Sequence, residues 1–186
     1  MNRYLLAGLI VFALFGTACT SITKDIRVGA EADPFAKFGK YETYAWLGSA
    51  QIVYDPIGKW EPPDFDSDAE VKFLIDRELR KKGMIEDRKE PDLLVGYMAG
   101  IDMAAMKLKK NPETDKVRLE NVPVGGVAIM LVDTATGYVV WLGYAAGKVR
   151  QDQPTIPVIR ERLDYAVTHM FELLPEELSK RPGGSR

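Results

Sequence analysis

Apolar residues along the chain follow two different periods. In "YETYAWLG", Tyr41, Thr43, Ala45 and Leu47 alternate with Glu42, Tyr44 and Trp46, the two-residue period of a strand built from strand formers. Ile26 and Val28 alternate in the same way in "DIRVGAE" and predict an edge strand. Between residues 67 and 83 the period changes: Val71, Leu74, Ile75 and Leu79 recur at helical spacing. Ser67 and Glu70 read as a capping box at the start of that helix. Arg80, Lys81, Lys82 and Gly83 fit its end, where cations favour the dipole and glycine closes the last turn.

The strand period returns in "PDLLVGYMAGIDM", with Leu93, Val95, Tyr97 and Ala99 on one face. "KKNPETDK" then predicts a hairpin loop, a strand follows around Val117–Val122, and Gly125-Gly126 marks an expected bulge or break. "VAIMLVDTATGYVVWLGYA" holds two apolar runs joined by "DTATG", where Asp133 and Gly137 supply turn chemistry for an antiparallel pair. A last helix opens at Thr155 and Pro157, carries Ile159, Leu163, Ala166, Val167, Met170 and Leu174 as its apolar stripe, and stops at Pro175. Residues 48 to 65, with their prolines and glycines, read as a long loop carrying Trp60. The order of elements predicts an α+β fold, a largely antiparallel β-sheet with two amphipathic helices packed on one face.

The N-terminus belongs to a different category. Arg3 precedes an uncharged, mostly apolar stretch from Tyr4 to Phe15, and Gly16, Thr17 and Ala18 lead to Cys19, the only cysteine of the chain. A charged start, a short apolar core and a small-residue exit are the parts of a secretory signal. The run is short for a membrane-spanning helix, which takes about 20 residues. "GTAC" resembles a bacterial lipobox, which makes Cys19 the lipidated first residue of the mature protein. Each buried methylene of an acyl chain contributes ~0.8 kcal/mol, so two or more chains anchor stably. Acylation leaves no thiol for a disulfide or a cysteine-based metal site. Thr20 lacks the aspartate expected of inner-membrane retention, which points to the outer membrane. The chain divides accordingly into a signal peptide (1–18), a lipidated cysteine and short tether (19–24), one α+β domain (25–178) and a flexible tail (179–186).

Composition narrows the partners. The whole chain carries a net charge of −2, and loss of Arg3 with the signal leaves −3. No basic excess exists to follow a phosphate backbone, which argues against nucleic acid. Candidate chemistry is sparse. "DFDSDAE" superficially suggests a calcium loop, but Ala69 and Ile75 stand where glycine and the bidentate glutamate are required. "GYAAGKV" is one residue short of a phosphate loop and has Val149 in place of the magnesium-binding hydroxyl. His169, the one histidine, has no second histidine or cysteine to share a metal, and no G-x-S-x-G offers it a nucleophile.

Taken together, "YETYAW", "DRELRKKG", "EPDLLVGY", "VAIMLVDTATGYVVWLGYA" and "AVTHMFELLP" resemble, in order, the envelope lipoproteins grouped as domain of unknown function 4136. The resemblance spans roughly residues 25 to 175 and implies an α+β domain on a lipid anchor with no catalytic residue to carry over. Leu142 stands where that family often has a basic residue after the tryptophan. The expected function is therefore a periplasm-facing, non-catalytic structural or protein-interaction module, held in the membrane through Cys19, with an envelope protein as partner and no cofactor or metal. A binding module for a small apolar or lipid-like ligand is the alternative. Trp60, Trp46, Tyr97 and Trp141 are the candidate interaction surface, on the sheet face opposite the helices, with core packing as the competing role of the strand aromatics.

Overall fold

The computed structural model describes residues 22–47, 53–54, 64–102, 106–110, 117–121, 124–148 and 155–178. In chain order its elements are β1 (Arg27–Ala32), β2 (Thr43–Trp46), β3 (Val53–Tyr54), α1 (Ser67–Lys81), β4 (Ile85–Glu86), β5 (Leu93–Asp102), β6 (Met106–Lys110), β7 (Val117–Asn121), β8 (Val124–Asp133), β9 (Val139–Lys148) and α2 (Ile156–Glu172). The main sheet has the order β1-β9-β8-β5-β2-β4, with β3 also pairing β5, and β6-β7 form a separate ribbon. This is the expected α+β fold. Its long ladders, β1-β9, β9-β8 and β8-β5, are antiparallel.

The parallel portion was not legible in the pattern. β2 pairs in parallel with β4 and β5, and β3 with β5. The cause is α1, which carries the chain from β2 back to the sheet end where it started, so that β4 runs the same way. β3 and β4 have two residues each, too few for a period to register, and β3 falls within the expected long loop.

Two local expectations are corrected. Asp66, not Ser67, caps α1: its side chain accepts from the Ala69 amide at 2.9 Å. Ser67 is the buried first helical residue, and Glu70 reaches across to Arg160 at 2.9 Å instead of returning to the cap. Gly125-Gly126 do not break β8, which pairs on both sides through them. The irregularity lies at the other end, where Leu131 faces Trp141 but Val132 faces Val139. The extra residue turns both Val140 and Trp141 inward.

Helices and sheet share one core. Val71, Leu74, Ile75 and Leu79 from α1, and Leu163, Ala166, Val167 and Met170 from α2, meet Leu93, Val95, Ile129 and Leu131. Phe171, adjacent to the expected stripe, is also buried and lies 5.4 Å from the Trp141 ring. A side chain at Gly143 would run into that ring, so glycine there is what lets the indole lie flat on the strand. Arg77 joins the helices, donating to Glu78 of α1 (2.6 Å) and Thr168 of α2 (2.8 Å).

One carboxylate organises the far end of the sheet. Asp133 closes the β8-β9 turn by accepting from the Ala135 and Thr136 amides at 2.8 and 3.1 Å, with Gly137 at φ 73°. It also accepts from Tyr41 Oη at 2.7 Å and from Lys40 Nζ at 3.1 Å. Its neighbour Thr134 donates to the carbonyls of Pro91 and Asp92. Asp92 in turn accepts from the Glu42 and Thr43 amides at 2.7 and 2.9 Å, where β2 begins. Burial acts to raise the Asp133 pKa, but the Tyr41, Lys40 and amide hydrogen bonds outweigh it and hold the carboxyl at about 2, against an ordinary 3.8.

A carboxyl depressed in the folded state stabilises above its unfolded pKa and loses that contribution as pH falls toward the folded value. At about 1.4 kcal/mol per unit, Asp133 is worth about 2 kcal/mol at neutral pH. Asp133→Asn is expected to lose about that much at pH 7 and to close most of the gap by pH 2, measured by urea unfolding. A deficit that stays constant over that range contradicts the assignment. In the core, Trp141 is 1% exposed and its Nε1 has no partner. Trp141→Ala should cost about 3–5 kcal/mol. Trp141→Phe, which also removes an unsatisfied donor, should cost clearly less; equal midpoints for wild type and Trp141→Ala would refute the packing role.

Candidate functional site

Cys19 and Trp60 lie outside the described residues. The other candidate aromatics sit on the helix side of the sheet rather than opposite it. Trp141 is in the core, Tyr97 is 3% exposed, and Trp46 is half-buried at the sheet edge. Trp46 and Tyr97 meet edge to face, with ring centres 6.4 Å apart.

Helix α1 supplies the polar side of this seam. Asp68, Lys72 and Asp76 recur every four residues and so share one helix face. Tyr97 Oη donates to Asp68, and Lys72 Nζ donates to the same carboxylate at 2.8 Å. The Lys72 ammonium also stands 5.9 Å from the centre of the Trp46 ring. Tyr44 Oη and Trp46 Nε1 both donate to Asp76, at 2.9 and 3.1 Å. The spacing of these three charged residues was the available sequence signal. Which strand aromatics they would meet depended on the parallel pairing.

The carboxylates are held in their ionised forms. Burial pushes Asp68, Glu78, Asp92 and Asp133 upward, yet hydrogen bonds from Lys72 and Tyr97, from Lys81 and Arg77, from the Glu42 and Thr43 amides, and from Tyr41 and Lys40 leave each below its ordinary value. A general acid working at neutral pH needs the opposite shift. His169 is oriented by its own helix: Nδ1 lies 2.8 Å from the Tyr165 carbonyl and the ring stacks on Tyr165 at 3.9 Å. Among the described residues no three metal-binding side chains converge.

Opposite the helices the sheet presents a different surface. Register places Tyr144, Ala128 and Met98 in one row, and Leu142, Met130 and Gly96 in the next. Leu47 lies over Gly96, while the Tyr144 ring lies over Gly29 of β1. Leu47, Met98 and Tyr144 are 38, 44 and 45% exposed. The remaining side chains of these rows are half-buried, and no helix of the described fold covers them. Periodicity identified the alternation. It could not say which of the two faces both helices would choose.

A family model described as "Domain of unknown function (DUF4136)" matches residues 28–176. The chain belongs to that family. A solved DUF4136 family protein from Bacteroides thetaiotaomicron is 12% identical, with 78% of this chain and 96% of that one covered and a TM-score of 0.50. At that identity the likeness is one of fold alone. A PDZ domain protein from Parabacteroides distasonis is 14% identical at a TM-score of 0.47; the match covers 94% of this chain but 41% of that one, so this chain spans well under half its length. The PelC dodecamer from Paraburkholderia phytofirmans is 14% identical, with 84% and 99% covered and a TM-score of 0.46. None of the curated proteins matches.

The DUF4136 match runs from β1 to just beyond α2, and so takes in the Asp133 junction, the aromatic seam and the uncovered face. In this member of the family Leu142 adds to the apolar character of that face, paired with Met130 and with Glu31 on the edge strand. The two surfaces should respond differently to substitution. Met98→Lys and Tyr144→Lys are expected to change stability by less than about 0.5 kcal/mol. Asp76→Ala, which strands the Tyr44 and Trp46 donors, should cost about 1–3 kcal/mol in the same urea titrations.

Proposed function

We propose that this DUF4136 protein is a bacterial envelope lipoprotein, anchored through Cys19 on the periplasmic side of the outer membrane, and that it works without catalysis by binding an envelope protein. The observation that carries this reading is the apolar sheet face around Met98, Met130, Leu142 and Tyr144, which neither described helix covers. A face of this kind on a domain whose other side is fully packed is a protein-contact surface by its chemistry. Two further features support it. The charged start, apolar run and small-residue exit before Cys19 fit export and lipidation. The described carboxylates with displaced pKa values all move downward, away from proton transfer at neutral pH. The alternative, a small apolar ligand between sheet and helices, is disfavoured because Trp141, Tyr44, Phe171, Ile75 and Leu79 fill that space.

The test uses the full chain in a living envelope, with a photo-crosslinking residue at Met98 or Tyr144 and a control at Phe73 on the outer side of α1. Met98 and Tyr144 should yield the same protein adduct, Phe73 should not, and Leu142→Glu should abolish the adduct. Absence of any adduct at the face, in protein whose N-terminal peptide is lipidated by mass spectrometry, overturns the contact role. An unmodified Cys19 thiol in the processed protein overturns the lipoprotein role.

A further inference from the structure

The start of the folded domain is fastened down unusually close to Cys19. Three Cα–Cα steps separate Cys19 from Ile22, at most about 11 Å of chain. The Ile22 carbonyl accepts from Arg162 Nη1 of α2. Arg162 then grips Asp25 with both terminal nitrogens, at 2.8 and 2.9 Å, and Asp25 also accepts from the Lys148 amide at 2.8 Å. This two-pronged pairing ties three elements together: the strand-entry segment, the end of β9 and the first turns of α2. The Arg162 hydrogen bonds are the largest influence on the Asp25 carboxyl, which lies at about 2. A side chain at Gly147 would collide with Arg162, so β9 is shaped to admit the clamp.

Three cations cluster at the same end of the sheet, where β5 also ends at Asp102, two strands from Lys148 in register. Lys24, Arg27 and Lys148 are exposed, and among the described residues none of them forms an ion pair. Arg27 pairs in register with Ala146, two residues from Lys148, and Lys24 adjoins the clamped Asp25, so the three cations surround one strand end. The nearby acids are mostly engaged: Asp25 by Arg162, Glu70 by Arg160, Asp68 by Lys72 and Asp66 by its own helix. Among the described residues the Asp64 and Glu161 carboxylates take part in no ion pair.

From this arrangement we infer that the sheet end where β1 begins and β9 finishes stands against the bilayer, with Lys24, Arg27 and Lys148 contacting anionic phospholipid headgroups. The inference rests on the reading of Cys19 as the lipidated residue. The anchor chain is too short to let the domain hang free, and the clamp removes the slack that Thr23 to Asp25 would otherwise add. Cations close to an anionic leaflet are drawn to it, and so the three together fix an orientation that the acyl chains alone do not. The turn at residues 134–138 then lies at the far end, and the uncovered face looks along the membrane instead of into it.

The experiment uses lipidated full-length protein in vesicles of phosphatidylcholine with phosphatidylglycerol, carrying Ala146→Cys at the clamped end or Ala135→Cys at the far turn. A Cys19 sulfur lipidated through a thioether has no free thiol to react. Ala146→Cys should react with a membrane-impermeant maleimide about tenfold more slowly than in detergent, and Ala135→Cys at an unchanged rate. Replacing Lys24, Arg27 and Lys148 together by Gln, three exposed side chains that form no ion pair among the described residues, should restore the fast rate on the same vesicles. Asp25→Asn, which loosens the clamp, should restore it in part. If Ala146→Cys reacts as fast on vesicles as in detergent while mass spectrometry finds lipid on Cys19, the orientation is wrong and the lipoprotein reading stands. If Cys19 carries no lipid, both fall together. A slow rate that survives the triple Gln variant overturns the headgroup contact.

Discussion

Asp133 joins by side-chain hydrogen bonds two halves of the sheet that share one apolar core. The β1-β9-β8-β5 half is antiparallel, and β8 and β9 follow one another directly in the chain. The β2-β4-β3 portion is parallel and enters through a crossover. One carboxylate closes the β8-β9 turn and also takes hydrogen bonds from Tyr41 and Lys40, immediately before β2. Thr134 and Asp92 extend the link to the first residues of β2. Because the group is buried and ionised, its pairing must be nearly complete: a buried charge with one donor missing is costly. The far end of the sheet is therefore specified by polar geometry, and the interior by apolar volume.

The opposite end uses the same device for another purpose. Asp25 and Arg162 secure the entry of the chain to β9 and α2. Such a clamp fixes the position of the strand-entry segment against β9 and α2. The two carboxylate junctions thus bracket the sheet, one at its turn end and one where β1 begins. Between them, one face is sealed by two helices and the other remains apolar and half exposed.

Four carboxylates of the described fold are committed to structure. Asp68, Asp76, Glu78 and Asp92 each accept from two or more donors, and where a pKa is displaced it is displaced toward the ionised form. The aromatic seam belongs to the same pattern. Trp46 and Tyr97 present polar tips to α1 and apolar rings to one another, so they join helix to sheet.

The sequence by itself determined the class of fold, the stripes of both helices, the inward set Leu93, Val95, Tyr97 and Ala99 of β5, and the turn at Asp133 and Gly137. These are local properties, readable from periods of two and 3.6 residues and from the φ that glycine allows. It also carried the resemblance that the family match bears out. Tertiary structure decided what depends on contacts distant in the chain. β3 and β4 exist because β5 and β2 offer them partners, and the bulge that turns Val140 and Trp141 inward together is set by register against β8. Asp66 displaced Ser67 at the α1 cap because the helix begins one residue earlier than the S-x-x-E pattern implied, a choice between two adjacent oxygens made by how α1 seats on the sheet. Above all, alternation along a strand defines two faces without ranking them. Only the packing of α1 and α2 decided that Trp46, Tyr97 and Trp141 would be covered while Leu47, Met98 and Tyr144 would not. The reason is physical: period is a property of one segment, whereas burial is a property of the segments that meet it.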